Sequence, residues 1–232
     1  MKAAIYGLDN FPVGKKNVPD ERLDRLEEMF QSKKVTSVQI EFISVEDVKD
    51  AEVVFSKEDK KTDLVLSDLE YVQDRLTKDI PDAEKTLFSK AKEILEKEEF
   101  LFKHLSKEEL KILRGFPLLT VIPVYLIKDE DSFDEDKDLK EIYYASGRIC
   151  FFTAGEKEAR AWSIQNGTNA FDASGYIHSD IKQGFIRAEV VSLEDLFNTG
   201  HYNQAKNEGK IRLENKDYIV KDGDYIIFRT NK

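Results

Sequence analysis

The stretches FFTAGEKEARAW (residues 151–162), SGYIHSDIKQGFIRAEVVSLEDL (174–196) and GKIRLENKDYIVKDGDYIIF (209–228) decide the fold of the last third of the chain. Short runs of β-branched and aromatic residues alternate here with glycine-containing turns, a pattern that predicts short strands. Strands are predicted over residues 149–152, 160–164, 185–191, 218–220 and 225–228, and helical segments over 177–183 and 201–208. Together they predict a small α+β unit with a mixed sheet.

The preceding part of the chain alternates strands with longer helices, which predicts an α/β arrangement. Apolar runs indicate strands over residues 2–8, 35–43 and 118–127, and an acidic surface loop over 128–140. Helices are predicted from Asp20 onward and over residues 63–76, 83–104 and 106–115. The apolar stripes of the second and third helices predict a helical hairpin at about 63–114.

Composition and charge restrict the possible partners. The chain has 41% apolar and 35% charged residues, typical of a globular protein, and no apolar run of the roughly 20 residues that cross a bilayer, so no membrane partner is expected. One cysteine, Cys150, excludes an intrachain disulfide and fits the cytoplasm. Residues 1–150 carry 25 basic and 34 acidic side chains, against 11 and 12 in 151–232, so phosphates would be repelled from the first part.

The three quoted stretches closely resemble the C-terminal TGS domain of the YchF-type Obg-like ATPases. The resemblance implies a ubiquitin-like β-grasp fold for residues 148–232. Upstream, residues 17–30 and 35–42 resemble the stretch before the second switch of that family's GTPase domain, residues 63–76 its helical insertion, and residues 116–133 the strand that carries its base-recognition motif. This upstream resemblance therefore implies a truncated, degenerate GTPase-like domain over residues 1–147, with the helical hairpin inserted.

The phosphate-binding pattern G-x-x-x-x-G-K-[ST] is not present at its expected place. Six residues separate Gly7 from Gly14, Pro12 removes one backbone N–H, and Lys16 stands where a magnesium-binding hydroxyl belongs. Two interpretations stay open. Gly7, Gly14 and Lys15 form a degenerate phosphate loop, or the loop is deleted and residues 13–18 belong to a later strand.

Two further motifs of that family differ as well. The Asp-x-x-Gly position reads Ser44-Val45-Glu46-Asp47, and the Asn-x-x-Glu position reads Ile127-Lys128-Asp129-Glu130. The three histidines, His104, His178 and His201, have no second ligand at metal-site spacing. The sequence therefore predicts no catalytic residue, no cofactor and no metal, and a chain that is not an enzyme.

The resemblance implies a non-catalytic binding protein that contacts the ribosome or structured RNA through the TGS domain. Two alternatives stay open: an ATPase or GTPase with a degenerate phosphate site, and a regulatory subunit whose TGS domain binds a protein or small ligand. For His178 a hydrogen bond that stabilises its turn is weighed against a surface contact, and some of the cations could be solvated surface. The candidate contact residues are Lys157, Arg160, His178, Lys182, Arg187, Lys210 and Arg212.

Overall fold

The computed structural model describes residues 1–231. Contacts divide the chain into two compact units. The first unit comprises residues 1–16 and 39–146, and the second comprises residues 17–38 together with the chain from Gly147 onward. The mixed α/β class predicted from the sequence is confirmed, because both units combine a sheet with several helices. None of the helices in residues 1–231 is long and apolar enough to span a membrane.

The first unit contains a five-stranded sheet in the order β2-β4-β1-β5-β6. Its strands are β1 (Lys2–Tyr6), β2 (Gly14–Asn17), β4 (Gln39–Ser44), β5 (Val53–Lys57) and β6 (Val124–Ile127). The pairs β1–β4, β1–β5 and β5–β6 are parallel. Because the carboxyl ends of parallel strands lie at one edge, Gly7 after β1 and Lys128 after β6 are at the same edge of this sheet.

The helices of the first unit are α2 (Lys61–Leu76), α3 (Asp82–Leu95), α4 (Lys107–Leu113) and α5 (Glu135–Ala145). Helices α2 and α3 pack against each other around Val65, Val72 and Phe88, within the range of the predicted hairpin, whose role as a domain insertion stays a prediction. Helix α4 begins with a capping box, in which the Ser106 hydroxyl accepts the backbone N–H of Glu109 at 3.3 Å and the Glu109 carboxylate accepts the backbone N–H of Ser106 at 2.8 Å.

The second unit contains a six-stranded sheet in the order β10-β9-β11-β7-β8-β3. Its strands are β3 (Val35–Thr36), β7 (Arg148–Ala154), β8 (Ala159–Gln165), β9 (Phe185–Ser192), β10 (Arg212–Glu214) and β11 (Asp224–Thr230). β7 and β8 form an antiparallel hairpin, β11 lies parallel to β7, and β9 pairs antiparallel with both β10 and β11. The short strand β3 extends the edge, parallel to β8.

The helices of the second unit are α1 (Glu21–Phe30), α6 (Ala170–Ile177), α7 (Ser179–Gln183), α8 (Leu193–Thr199) and α9 (Tyr202–Asn207). Residues Ala170 and Ala173 of α6 join a buried cluster with Phe151, Ile164 and Val190 of the sheet. Helix α1 packs against β7 and β8 and buries its own Leu23 and Leu26. The second unit therefore includes residues 17–38, which the sequence analysis assigned to the domain over 1–147.

Several predicted elements are wrong in extent. The predicted strand 35–43 is two strands in two sheets, β3 and β4. The predicted helix 83–104 ends at Leu95, because Glu98 adopts a left-handed backbone (φ 57°) and the chain turns there. The acidic segment 128–140 contains most of α5, whose first N–H groups bond to the Asp134 carboxylate. The predicted strand 218–220 is absent, because Ile219 forms only an isolated bridge with Asn169. The strand in this part of the chain is β10, at Arg212–Glu214.

Candidate functional site

The candidate contact residues lie at opposite ends of the second sheet. Strands β7 and β11 are parallel, so their carboxyl ends share one end of the sheet, and the antiparallel strands β8 and β9 begin there. Lys157, Arg160 and Arg187 therefore lie at this end. Arg212 is paired with Val190, near the carboxyl terminus of β9, and lies toward the other end. The structure thus separates these cations into two groups, and His178 and Lys182 lie apart from both, at helix α7.

The first group gains a member from the segment 17–38. β3 pairs with the beginning of β8, and the backbone N–H of Lys33 donates to the carbonyl of Glu156 at 3.0 Å. Lys33, Lys157 and Arg187 are exposed, while the half-buried Arg160 guanidinium lies 4.0 Å from the centroid of the Trp162 ring. None of these four cations forms an ion pair within residues 1–231. We call this group, Lys33, Lys157, Arg160 and Arg187, the cationic sheet end.

Acidic residues at this end have partners of their own. Glu158 accepts a hydrogen bond from the Thr36 hydroxyl and forms an ion pair with Lys34 at 3.0 Å. These two contacts hold the pKa of the Glu158 carboxyl below its usual value. Burial opposes ionisation of Glu189, yet hydrogen bonds from Tyr202 and Arg229 lower the pKa of Glu189 overall. Both carboxylates stay ionised at neutral pH, and their charge is directed toward Lys34 and Arg229.

The second group is neutralised within the unit. The Lys210 ammonium lies 3.1 Å from Asp195, and Arg212 lies 3.4 Å from Glu214 and 3.6 Å from Asp224. The Arg212 guanidinium also donates to the Tyr218 hydroxyl at 3.0 Å. Lys210 and Arg212 do not share a strand face, because β10 begins at Arg212 and Lys210 precedes it.

His178 and Lys182 flank helix α7. The Nδ1 atom of His178 accepts the backbone N–H of Asp180 at 3.1 Å and caps the helix, which supports the turn-stabilising interpretation of this histidine. The Lys182 ammonium lies 2.8 Å from the Asp172 carboxylate and 5.0 Å from the centroid of the Phe171 ring. Both side chains therefore have local partners, although neither is buried.

Sequence reasoning missed Lys33, Lys34 and Arg229 at this end of the sheet. Arg229 pairs with Arg187 across β11 and β9, and β3 brings Lys33 and Lys34 to the same end. No local pattern near Lys33 predicts a sheet contact with residue 159, which lies more than a hundred positions away. Only a long-range contact could have identified these residues.

The proposed phosphate-loop residues lie at the other sheet. Gly7 ends β1 with φ 64°, and an added Cβ would come within 2.8 Å of the Lys60 side chain. Gly14 and the exposed Lys15 are in β2, so the chain continues from them as a strand. The neighbouring Lys16 forms an ion pair with Glu135. Residues 14–17 form a strand, and the two interpretations of the phosphate loop both stay predictions.

Comparison with known proteins gives a family match at the second unit. Residues 149–231 match the family model YchF-GTPase_C, described as a protein of unknown function (DUF933). The Bacillus subtilis ribosome-binding ATPase YchF is 50% identical over 96 residues, which cover 41% of this chain and 26% of the relative. Human Obg-like ATPase 1 is 51% identical over 81 residues, covering 35% of this chain and 20% of the relative. The aligned segments thus span about a fifth to a quarter of these two relatives.

A solved structure resembles the whole chain. The Schizosaccharomyces pombe YchF GTPase matches with a TM-score of 0.78 and 19% identity, over 99% of this chain and 97% of that chain. At this identity the likeness shows a shared fold. The relatives are named ATPases and this structure is named a GTPase, which points to a nucleotide-hydrolysing family and overturns the prediction that the chain is not an enzyme. The comparisons support a relationship of this chain to the YchF and Obg-like ATPases.

Proposed function

We propose that the chain associates with the ribosome, and that the cationic sheet end of its second unit contacts ribosomal RNA. The proposal rests on the overlap between the residues that match the YchF C-terminal family model and the residues of the cationic sheet end. Residues 149–231 match the YchF C-terminal family model, and relatives at about half identity are named ribosome-binding ATPases. The cationic sheet end lies mostly within the matched residues, and none of its four cations forms an ion pair within residues 1–231, although Arg160 interacts with Glu158 at longer range.

We also propose that residues 148–232 form a TGS domain of the β-grasp type. Three features of the second unit support this assignment. A hairpin, β7–β8, opens the segment; helix α6 packs across the sheet; and the last strand, β11, lies parallel to β7 in the middle of the sheet. The resemblance of the sequence stretches 151–162, 174–196 and 209–228 to TGS domains points to the same fold.

The physical basis of the RNA contact is counterion release. Each phosphate that a lysine or arginine neutralises adds about 0.9 to the slope of log affinity against log salt for duplex, or about 0.7 for single strands. The Lys210–Arg212 group already has acidic partners, so it gives up an ion pair for each phosphate it gains. The cationic sheet end has no ion pair to give up within residues 1–231, and only Arg160 interacts with a carboxylate, that of Glu158, so we assign the larger share of binding to this end.

Sedimentation with ribosomes tests the proposal. The double variant Lys157→Ala plus Arg187→Ala is expected to reduce pelleting and to flatten its salt dependence. The matched control is Lys210→Ala plus Arg212→Ala, which removes the same charge from the neutralised group and should change pelleting less. Equal pelleting of the wild type and both variants at low and moderate salt overturns the assignment.

A second candidate function is nucleotide hydrolysis, carried over from the names of the relatives. It is favoured by the parallel sheet of the first unit, because ligands of open α/β sheets bind outside the carboxyl ends of the strands. Gly7 and Lys60 lie against each other at that edge. ATP and GTP turnover with Mg²⁺, measured for wild type, Lys15→Ala and Lys60→Ala, tests the site. Equal turnover in all three contradicts this location.

The remaining alternative is that the second unit binds a protein or a small ligand. Sedimentation with ribosomes also tests a protein contact. Ribosome pelleting that persists after nuclease treatment, and is indifferent to salt, would point to a protein contact. Pelleting lost on nuclease treatment supports the RNA contact.

A further inference from the structure

The second unit contains a pocket that the proposed phosphate contacts do not use. It has a volume of about 650 Å³ and lies between the turn before α6 and helix α7. Its lining includes Gly167, Asn169, Asp172, Tyr176, Ser179 and Lys182. Pockets of about 300–1,000 Å³ hold ligands of drug-like size, and a single nucleotide is in that range.

The polar wall of the pocket is held in place by a short network. The Asn169 carbonyl oxygen accepts the backbone N–H of Asp172 at 2.8 Å, and its amide donates to the Asp172 carboxylate at 2.9 Å. Lys182 completes the network at 2.8 Å from Asp172. Gly175 allows the Lys182 side chain to approach, because a Cβ at that position would be 2.8 Å from the Lys182 Cδ. The wall is therefore preorganised before any ligand arrives.

Two lining groups are free to engage a ligand. Tyr176 is 49% exposed, and neither its hydroxyl nor that of Ser179 makes a side-chain hydrogen bond within residues 1–231. An exposed tyrosine ring offers a surface on which a flat base can stack, and stacking of this kind does not depend on the base. The Ser179 hydroxyl and the Asn169–Asp172 wall offer both donors and acceptors for a base edge.

We propose that this pocket binds a single unstacked nucleotide, with the base against Tyr176 and the phosphate near Lys182, which gives up its ion pair with Asp172 for this contact. The proposal deepens the proposed function, on which it rests for the source of the nucleotide: an unpaired position in ribosomal RNA. Sequence-tolerant recognition of unpaired RNA uses this combination of an aromatic face and a cation. A free mononucleotide offers the same chemistry, so the experiment separates the two sources.

Fluorescence anisotropy with a labelled single-stranded RNA of mixed sequence tests the pocket in the full chain. Stacking is worth roughly 1–3 kcal/mol per base, so Tyr176→Ala should weaken binding about tenfold or more, whereas Tyr176→Phe should stay within about twofold of wild type. Lys182→Met should flatten the salt dependence. Tyr144→Ala serves as the matched control, because Tyr144 is another exposed tyrosine, at 42%, in the first unit.

Competition with unlabelled uridine monophosphate and adenosine monophosphate identifies the source. Displacement of the labelled RNA only by longer RNA supports an RNA position, and displacement by micromolar mononucleotide supports a free nucleotide; both agree with the pocket. RNA binding that is absent in wild type, or equal in wild type and Tyr176→Ala, overturns it. Loss of ribosome pelleting in Tyr176→Ala with unchanged RNA binding would also overturn it, in favour of a protein occupant.

These results are separable from the test of the proposed function. Ribosome pelleting that is insensitive to the changes at Lys157 and Arg187 contradicts the proposed contact and leaves the anisotropy result to decide the pocket. Normal dependence of pelleting on Lys157 and Arg187, with no effect of Tyr176→Ala on RNA, contradicts the pocket alone.

Discussion

The two units differ in how their sheets relate to the sequence. In the first unit, three strand pairs are parallel, helices α2, α3 and α4 lie between the neighbouring strands β5 and β6, and the strands come from residues as far apart as β1 and β6. In the second unit, five of the six strands follow one another after Gly147, but the edge strand β3 and helix α1 come from residues 17–38. The hydrogen bond from the Val18 N–H to the Val38 carbonyl, at 2.9 Å, closes this segment at its base. A unit that is nearly continuous in sequence can therefore still depend on a distant piece of chain.

The largest expected effect tests that dependence. Leu26 of α1 is fully buried, so Leu26→Ala should lower the free energy of unfolding of the second unit by about 3 kcal/mol, through lost burial and the cavity left behind. Urea unfolding followed by the fluorescence of Trp162, which lies in that unit, measures the change. Leu66→Ala is the matched control, because Leu66 is 49% exposed on α2 and should change the value by less than about 0.5 kcal/mol. Equal stability of both variants would mean that α1 is dispensable to the second unit.

The next expected effect concerns a buried carboxylate in the first unit. Asp68 on α2 accepts hydrogen bonds from the Leu119 N–H, the Thr120 N–H and the Thr120 hydroxyl, each at 2.7 Å. Asp68→Asn would direct an amide NH₂ at one of these donors, and an unsatisfied buried group costs about 1–3 kcal/mol. We expect a loss of about 2 kcal/mol at neutral pH, measured by urea unfolding. Asp74→Asn, on the exposed face of the same helix, is the control, and an unchanged Asp68→Asn would contradict the role of this network.

The pH dependence of the same site follows from its pKa. Burial raises the pKa of Asp68 to about 6, although its hydrogen bonds oppose the rise. The folded chain then holds a proton up to about pH 6, whereas the unfolded chain releases it near 4, so this group makes the free energy of unfolding fall as pH rises through that interval. The difference between wild type and Asp68→Asn should therefore vary between pH 4 and pH 6.5 and be constant above pH 7. A constant difference across the whole range contradicts the raised pKa.

The second unit contains a comparable carboxylate with a smaller expected effect. Asp224 accepts hydrogen bonds from the Tyr218 hydroxyl at 2.8 Å and the Lys221 N–H at 2.9 Å, and burial raises the pKa of its carboxyl. Arg212 lies 3.6 Å away and compensates part of the charge. Asp224→Asn can keep one carbonyl acceptor, so we expect a loss of about 1 kcal/mol by urea unfolding. A loss larger than that of Asp68→Asn would reverse the ranking of the two sites.

What the sequence could predict depended on the range of the interactions. The strands β7, β8 and β9 and the helix α4 are determined by neighbouring residues, and each was predicted close to its observed bounds. The split of residues 35–43 was not predictable, because a continuous alternation of apolar residues does not show that Val35 and Ile40 enter different sheets. Helix α5 was missed because its acidic first turn looks like a solvated loop until Asp134 caps it.

The residues of the candidate site were likewise predictable where short-range sequence patterns select them, and not where long-range contacts do. Lys157, Arg160 and Arg187 were selected from matched stretches of sequence, whereas Lys33 enters the same end only through β3. The ion pairs Lys210–Asp195 and Arg212–Asp224 also join residues from separate elements. No spacing rule in the sequence could therefore have removed Lys210 and Arg212 from the candidate contact residues. The pocket beside α7 depends on the approach of Lys182 to Gly175, which is again a tertiary contact.

The smallest expected effect concerns the outer face of α1. The Arg25 guanidinium lies 3.8 Å from the centroid of the Phe197 ring, and the cation is exposed. Cation–π pairs at exposed sites contribute about 0.5–1 kcal/mol, so a double-mutant cycle of Arg25→Met and Phe197→Leu should give a coupling energy in that range. The side chains involved are similar in length to their replacements, which keeps changes in packing small.

The control is a second double-mutant cycle, in which Arg25→Lys replaces Arg25→Met and keeps the charge. Arg25→Lys preserves the positive charge but loses the flat guanidinium, so it should retain only part of the coupling with Phe197. A coupling that is the same for Met and Lys at position 25 would mean that packing of the alkyl chain, rather than the cation, joins α1 to α8. Zero coupling in both cycles would leave the buried leucines and the Arg22–Asp222 ion pair, at 2.7 Å, as what holds α1 in the second unit. In that case Leu26→Ala should lower the free energy of unfolding by more than Arg25→Met does.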